Sequence, residues 1–170
     1  GYWRNEAATN DALRDGWLHT GDIGIIDNDG YIKITDRKKD IIVNSGGDNL
    51  SPQRVEGLLT LEPEIAQAMV YGDKRPHLVG LLVPDDAWIK SWARENGKRA
   101  DPGTLAEDAD FRRALDEAVM RVNKRLSNIE KVRRFIVASE PFTVDNALMT
   151  PTMKIRRHKI NEIYRNALEG

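Results

Sequence analysis

Ile65-Ala66-Gln67-Ala68-Met69-Val70-Tyr71 and Leu78-Val79-Gly80-Leu81-Leu82-Val83 stand on either side of Gly72-Asp73-Lys74-Arg75-Pro76. Two apolar runs of strand length around a turn-forming pentapeptide predict a pair of strands. Helical patterns follow. Residues 85–95 read as a helix that places Trp88 and Trp92, four residues apart, on one face. Residues 96–103 read as a loop. Phe111, Leu115, Ala118, Val122 and Leu126 then recur at helical spacing. Residues 132–138 return to a strand pattern, 139–152 read as irregular, and Ile160, Ile163, Tyr164, Ala167 and Leu168 mark a closing amphipathic helix.

On the amino-terminal side of the deciding stretch, Ser51-Pro52 supplies a cap and a first-turn proline for a helix carrying Val55, Leu58 and Leu59. Residues 41–43 form a short buried strand closed by the loop 44–49. Residues 23–26 and 31–35 are strands joined by Asp27-Asn28-Asp29-Gly30, a hairpin signal, and 6–13 is a short helix. Strands and helices mix without the strict alternation of a doubly wound sheet, so the expected fold class is α+β. The hinge-like place is 35–40, where a strand-rich entry gives way to consecutive charged residues.

The chain has 170 residues, 40% of them hydrophobic and 31% charged, which suits a real core and a water-facing surface. A formal net charge of -1 argues against wholesale nucleic-acid binding. Cysteine is absent, which excludes disulfides, thiolate metal sites and cysteine nucleophiles. No apolar run reaches the roughly 20 residues that a membrane-spanning helix needs. The opening Gly1-Tyr2-Trp3, without an initiator Met, reads as the start of an excised piece.

Three polar patches fall where core patterning does not require them. In Gly16-Trp17-Leu18-His19-Thr20-Gly21-Asp22, an acid precedes a strand, and a carboxylate there can accept both hydroxyls of a ribose. The same residues also read as a surface turn in which Asp22 bonds its own backbone. In Thr35-Asp36-Arg37-Lys38-Lys39-Asp40, the forked donors of Arg37 suit ribose or phosphate oxygens. Beyond it, Gly46 and Gly47 permit close approach of the backbone to a ligand. A solvated charge run and an ordinary glycine turn are the plainer reading. In Leu148-Met149-Thr150-Pro151-Thr152-Met153-Lys154-Ile155-Arg156-Arg157, a lysine after a proline-stiffened loop can deliver positive charge to an oxyanion; otherwise it is a basic helix start. His19, His77 and His158 show no metal-ligand spacing, and no metal ligand set is expected.

Taken in order, Gly16 to Asp22, Ile34 to Ile42 and Pro151 to Lys154 resemble the C-terminal signature series of the acyl-adenylate-forming superfamily, which includes acyl-CoA synthetases, luciferases and peptide-synthetase adenylation domains. The resemblance spans the whole chain and is most like long-chain fatty-acid–CoA ligases. Two departures accompany it. Met153 stands where the commoner motif has glycine, and Asp48 stands where many members carry Arg or Lys; both variations look like the long-chain branch.

The resemblance implies that residues 1–36 end a large N-terminal domain and that 37–170 form a small C-terminal lid of mixed short sheets and helices. It implies that Asp22 and Arg37 bind the nucleotide and that Lys39 is the hinge. It implies further that Ser45, Gly46 and Gly47 line the CoA tunnel and that Lys154 is the catalytic lysine of adenylation. The implied substrates are a fatty acid, ATP (released as AMP) and coenzyme A, with Mg2+ on the phosphates. None is expected to bind tightly to this chain, whose implied partner is its own N-terminal domain. No phosphate loop, magnesium ligand or fatty-acyl pocket is traced in it, so it is expected to be inactive alone. The expected place is the cytoplasm or the membrane periphery. An aryl-CoA ligase, a fatty acyl-AMP ligase or a non-catalytic nucleotide-binding module are the competing readings. Acyl chain length and oligomeric state have no signature in these residues.

Overall fold

The computed structural model describes residues 1–170 and divides into two compact units, Gly1–Ile41 and Ile42–Gly170. The first unit opens with α1 (Glu6–Ala12), whose cap is Asn5: its side-chain oxygen accepts the Ala8 N–H at 2.9 Å. Strands β1 (Leu13–Arg14) and β2 (Trp17–Leu18) follow as a tight hairpin. Asp15 and Gly16 both take positive φ, 51° and 81°, the turn geometry that matches strand twist. The Asp-Gly pair thus terminates a hairpin rather than merely opening a polar patch.

Strands β3 (Asp22–Ile26) and β4 (Ile32–Arg37) pair antiparallel, as the Asp-Asn-Asp-Gly spacer predicts. Asp27 organises that turn, its Oδ1 accepting the N–H groups of Asp29 and Tyr31 at 3.0 and 2.9 Å. The isoleucines of this hairpin, Ile25, Ile26, Ile32 and Ile34, are exposed.

The second unit is built on a three-stranded sheet ordered β7-β8-β9 from β7 (Ile65–Tyr71), β8 (Leu78–Pro84) and β9 (Val132–Val137). Central β8 runs antiparallel to β7 and parallel to β9. Every residue of β8 is buried, which explains its unbroken apolar run: both faces of the sheet are covered. On one face Val70, Leu78 and Leu82 join Val55 and Leu59 of α2 (Pro52–Leu59) and Phe111, Leu115 and Val122 of α5 (Ala109–Asn123). On the other, Met69, Val79 and Leu81 meet Phe142, Leu148, and Ile160 and Leu168 of α6 (Arg157–Glu169).

A parallel neighbour needs a long crossover. Here α3 (Asp86–Glu95), α4 (Pro102–Leu105) and α5 supply it. Trp88 and Trp92 of α3 both pack on Phe111, with ring centroids 5.1 and 5.2 Å away. The expected α+β class is the observed one.

Several local expectations need correcting. The expected loop at 96–103 gives way to α4, because Asp101 caps the Thr104 N–H and Pro102 enters the first turn. In α6 the inward stripe is buried Ile160, half-buried Tyr164 and buried Leu168, spaced i, i+4, i+8, which rotates Ile163 and Ala167 out to solvent. Near Ile41, the strand covers only β5 (Ile42–Val43), paired with β6 (Asn49–Leu50), and Val43 is exposed rather than buried.

Candidate functional site

In the first unit, Asp22 begins β3, Arg37 ends β4, and the register sets them opposite each other. Arg37 Nε lies 3.4 Å from Asp22 Oδ1. Both side chains keep access to solvent, 46% for Arg37 and 27% for Asp22. The backbone around them is fixed on both strands. The Thr20 hydroxyl accepts the Asp22 N–H at 3.1 Å, and the Lys38 N–H reaches the Gly21 carbonyl at 2.8 Å. The buried Asp36 accepts the Arg37 N–H at 2.7 Å. It is Thr20, therefore, that makes the local turn contact, while the Asp22 carboxylate meets Arg37. A half-open carboxylate and a guanidinium fork side by side can receive a vicinal diol and an adjacent anionic oxygen.

Lys39 is exposed in the turn 38–40, where the Asp40 and Ile41 N–H groups both close on the Arg37 carbonyl. The division between the two units falls two residues later.

The glycine loop of the second unit is organised by Asn44, which sequence reasoning passed over. Its Oδ1 accepts the N–H groups of Gly46 and Asp48 at 2.9 and 2.8 Å, and its Nδ2 donates to Asp48 Oδ2 at 3.0 Å. An Asn directly before Ser-Gly-Gly was the available signal, since Asn bonds the backbone two residues ahead in turns. Gly47 has φ of 85°, a conformation that favours glycine, whereas Gly46 does not. Asp48, in place of a basic residue, is thus a partner of Asn44. The loop docks on the β7–β8 turn: the Ser45 N–H donates to the Arg75 carbonyl at 3.0 Å and Lys74 N–H to Val43 carbonyl at 2.7 Å.

Lys154 sits in a turn braced by Thr150. The Thr150 N–H donates to the Lys154 carbonyl at 2.8 Å, and the Lys154 N–H donates to the Thr150 hydroxyl at 3.1 Å. Met149 and Ile155 form an antiparallel bridge at its base. Lys154 is exposed and lies three residues before α6 begins, so it belongs to the turn and not to the helix. Met153 takes φ of 59°, the left-handed region. That explains why glycine is the commoner residue in the resembling motif: the backbone here asks for it. A cleft of about 240 Å³ beside the turn is lined by Gly57, Thr60, Ala66, Met149 and Met153, among others. The Lys154 turn neighbours the start of β7, whereas the glycine loop docks at its far end.

Two further anchors were invisible to local pattern. Arg157 meets both oxygens of the buried Glu56, at 2.6 and 2.5 Å, and Glu56 Oε1 also accepts the Val70 N–H at 2.8 Å. The Gln67 amide bonds the Phe142 backbone in both directions, at 2.9 and 2.8 Å. No group of three or more His, Asp or Glu side chains converges as a metal site would require.

Asp108 is held below the ordinary carboxylate range chiefly by the Lys98 ammonium and then by the Phe111 N–H that it caps. The Lys98 ammonium is raised in turn, chiefly by its hydrogen bond to Asp108. These groups fasten the start of α5.

Residues 39–170 match the family described as AMP-binding enzyme C-terminal domain, and the chain belongs to that family. Among characterised relatives, it is 42% identical to the long-chain-fatty-acid–CoA ligase FadD15 of Mycobacterium tuberculosis, over 100% of this chain and 29% of that protein. It is 36% identical to human long-chain-fatty-acid–CoA ligase 6, over 99% of this chain and 25% of that protein. The chain therefore spans between a quarter and a third of the length of such relatives. Among solved structures, the adenylation domain of a carboxylate reductase from Mycobacterium chelonae superimposes with a TM-score of 0.85 at 27% identity, covering 99% of this chain and 25% of that one.

Proposed function

We propose that this chain is the C-terminal part of an ATP-dependent, AMP-forming long-chain fatty-acid–CoA ligase, and that it is inactive by itself. Residues 1–36 would close the large nucleotide-binding domain and residues 37–170 form the lid. The observation that carries the reading is Lys154, presented to solvent on a turn braced by Thr150, in a chain whose similar relatives are named long-chain-fatty-acid–CoA ligases. The exposed isoleucines of β3 and β4 support it as well, because they suit packing against the remainder of a larger sheet.

In the adenylating half-reaction a fatty carboxylate oxygen attacks the α-phosphorus of ATP and pyrophosphate departs. Asp22 holds the ribose hydroxyls and Arg37 the nucleotide oxygens. Lys154 offsets charge between carboxylate and α-phosphate and orients both, an electrostatic and positional effect. In the second half-reaction the lid turns at Lys39 and Ser45, Gly46 and Gly47 line the path of the CoA thiol. The sulfur attacks the acyl carbonyl, its proton goes to solvent, and AMP leaves. Magnesium would ride on the phosphates, with its ligands supplied outside these residues.

Lys154→Ala in the full-length protein tests the reading. Pyrophosphate exchange should be abolished while thioester formation from supplied acyl-adenylate persists; equal loss of both would refute the role. A second reading, transfer of the acyl group to a carrier protein, draws on the likeness to a carboxylate reductase adenylation domain. Comparing CoA with an acyl-carrier acceptor separates the two.

A further inference from the structure

The segment that carries Lys154 packs on the sheet through Phe142, Leu148 and Met149, and two polar side-chain clamps, one on each side of the lysine, fix it there. Upstream, Gln67 of β7 pairs its amide with the Phe142 backbone, and its Nε2 lies 3.6 Å from Met149 Sδ. Downstream, Arg157 forks onto Glu56, which in turn holds the Val70 N–H of the same strand. That last contact has a topological reason. Val70 stands opposite Gly80 and its N–H points away from β8, so the free edge of β7 needs an outside acceptor, which α2 provides. The Glu56 side chain is only 10% exposed and that of Arg157 20%. Between the clamps, the Met149–Ile155 bridge and the Arg156 N–H to Leu148 carbonyl bond at 2.8 Å tie the two legs of the turn together. Beside that apolar packing, Glu56, Arg157 and Gln67 are thus the directional contacts that tie the two legs of the Lys154 turn to α2 and β7.

We propose that Arg157 and Gln67 are positioning residues for Lys154: with Glu56 as fixed point, they set where the ammonium stands during adenylation. The proposal rests on the adenylating role given to Lys154 above. A buried bidentate ion pair contributes little net stability but fixes geometry, and its rupture leaves a stranded charge. Misplacement by about 1 Å can cost on the order of a hundredfold in rate. Thiolation, in which Lys154 takes no part, does not depend on that placement.

The test uses the full-length protein and two assays, pyrophosphate exchange and thioester formation from supplied acyl-adenylate. The paired change Glu56→Gln with Arg157→Met retains an acceptor for the Val70 N–H and leaves no unpaired buried charge. It should lower kcat of exchange by at least about tenfold, with KM for ATP little changed and thiolation within about twofold. Arg157→Lys, which keeps the charge but not the fork, should fall between it and wild type. Gln67→Ala should give the same half-reaction split, and together with Arg157→Lys it carries the comparison if the paired variant does not fold. Equal loss of both half-reactions in folded variants, or unchanged exchange, overturns the proposal. Lys154→Ala run alongside separates the two levels. If it spares exchange, the role of the lysine is wrong; if it abolishes exchange while the clamp variants do not, only the positioning is wrong.

Discussion

Arg37 Nε stands 3.4 Å from Asp22 Oδ1 across a register that pairs the two residues directly. Because one side chain fixes the other, removing either should disturb both. In the full-length protein, Asp22→Asn and Arg37→Met should each raise KM for ATP about tenfold, in keeping with one lost charge-assisted contact. The double variant should lose less than the sum of the two. Additive losses would show that the residues work independently.

Lys39 lies in a turn two residues before the division between units. If it is the hinge, Lys39→Pro restricts φ there and should slow thiolation more than adenylation. The reverse order, read from the two half-reaction assays, would refute the assignment.

Asn44 satisfies two N–H groups of its loop and pairs with Asp48. Asn44→Ala should destabilise the second unit by about 1–3 kcal/mol in chemical denaturation. Gly47→Ala meets no steric neighbour, so only its positive φ is penalised, by about 1 kcal/mol. A larger effect from Gly47→Ala than from Asn44→Ala would reverse this ranking of side-chain bonds over backbone conformation.

Met153 holds φ of 59° and is 67% exposed. Met153→Gly relieves the left-handed penalty while raising the entropy of the unfolded chain, so the melting temperature should hardly move. Met153→Val should cost about 1–2 kcal/mol, because a β-branched residue tolerates that region poorly. Circular dichroism melts of both variants decide it.

Asp108 and Lys98 form a pair with opposite displacements. The lowered Asp108 carboxyl contributes stability that is present above its unfolded value and lost as pH falls through the native one. The raised Lys98 ammonium contributes stability present below its unfolded value and lost as pH rises through the native one. Lys98→Met should therefore flatten the melting-temperature profile at both the acid and the alkaline end. Unchanged slopes at either end would exclude the pair as a source of pH dependence.

The parts of this fold that sequence discloses are those where neighbours along the chain are also neighbours in space. The Asp27 turn, the Ser51-Pro52 helix start and the helical spacing of Phe111, Leu115 and Val122 each rest on contacts within a few residues. Asp15-Gly16 was legible too, yet its hairpin was masked by reading Gly16 as the edge of a polar patch. Met153 was visible only as a mismatch, and its φ supplies the cause. Glu56 with Arg157, and Gln67 with Phe142, lie far apart in sequence, so no local periodicity points from one to the other. Of the candidate site, the resemblance named Asp22 and Arg37, and the register shows them as cross-strand partners. Asn44, which orders the glycine loop, stood beside the motif and outside it.

The central place of β8 also sets an order of events at the ribosome. Its antiparallel partner β7 precedes it across a short turn, whereas its parallel partner β9 follows only after roughly fifty residues. At about 5–20 residues per second, one side of the most apolar strand in the chain waits on the order of three to ten seconds for its mate. Over that interval the nascent chain is a candidate client for holdase chaperones. Slowing translation through α3–α5 would lengthen the wait, and with it the yield of misassembled product.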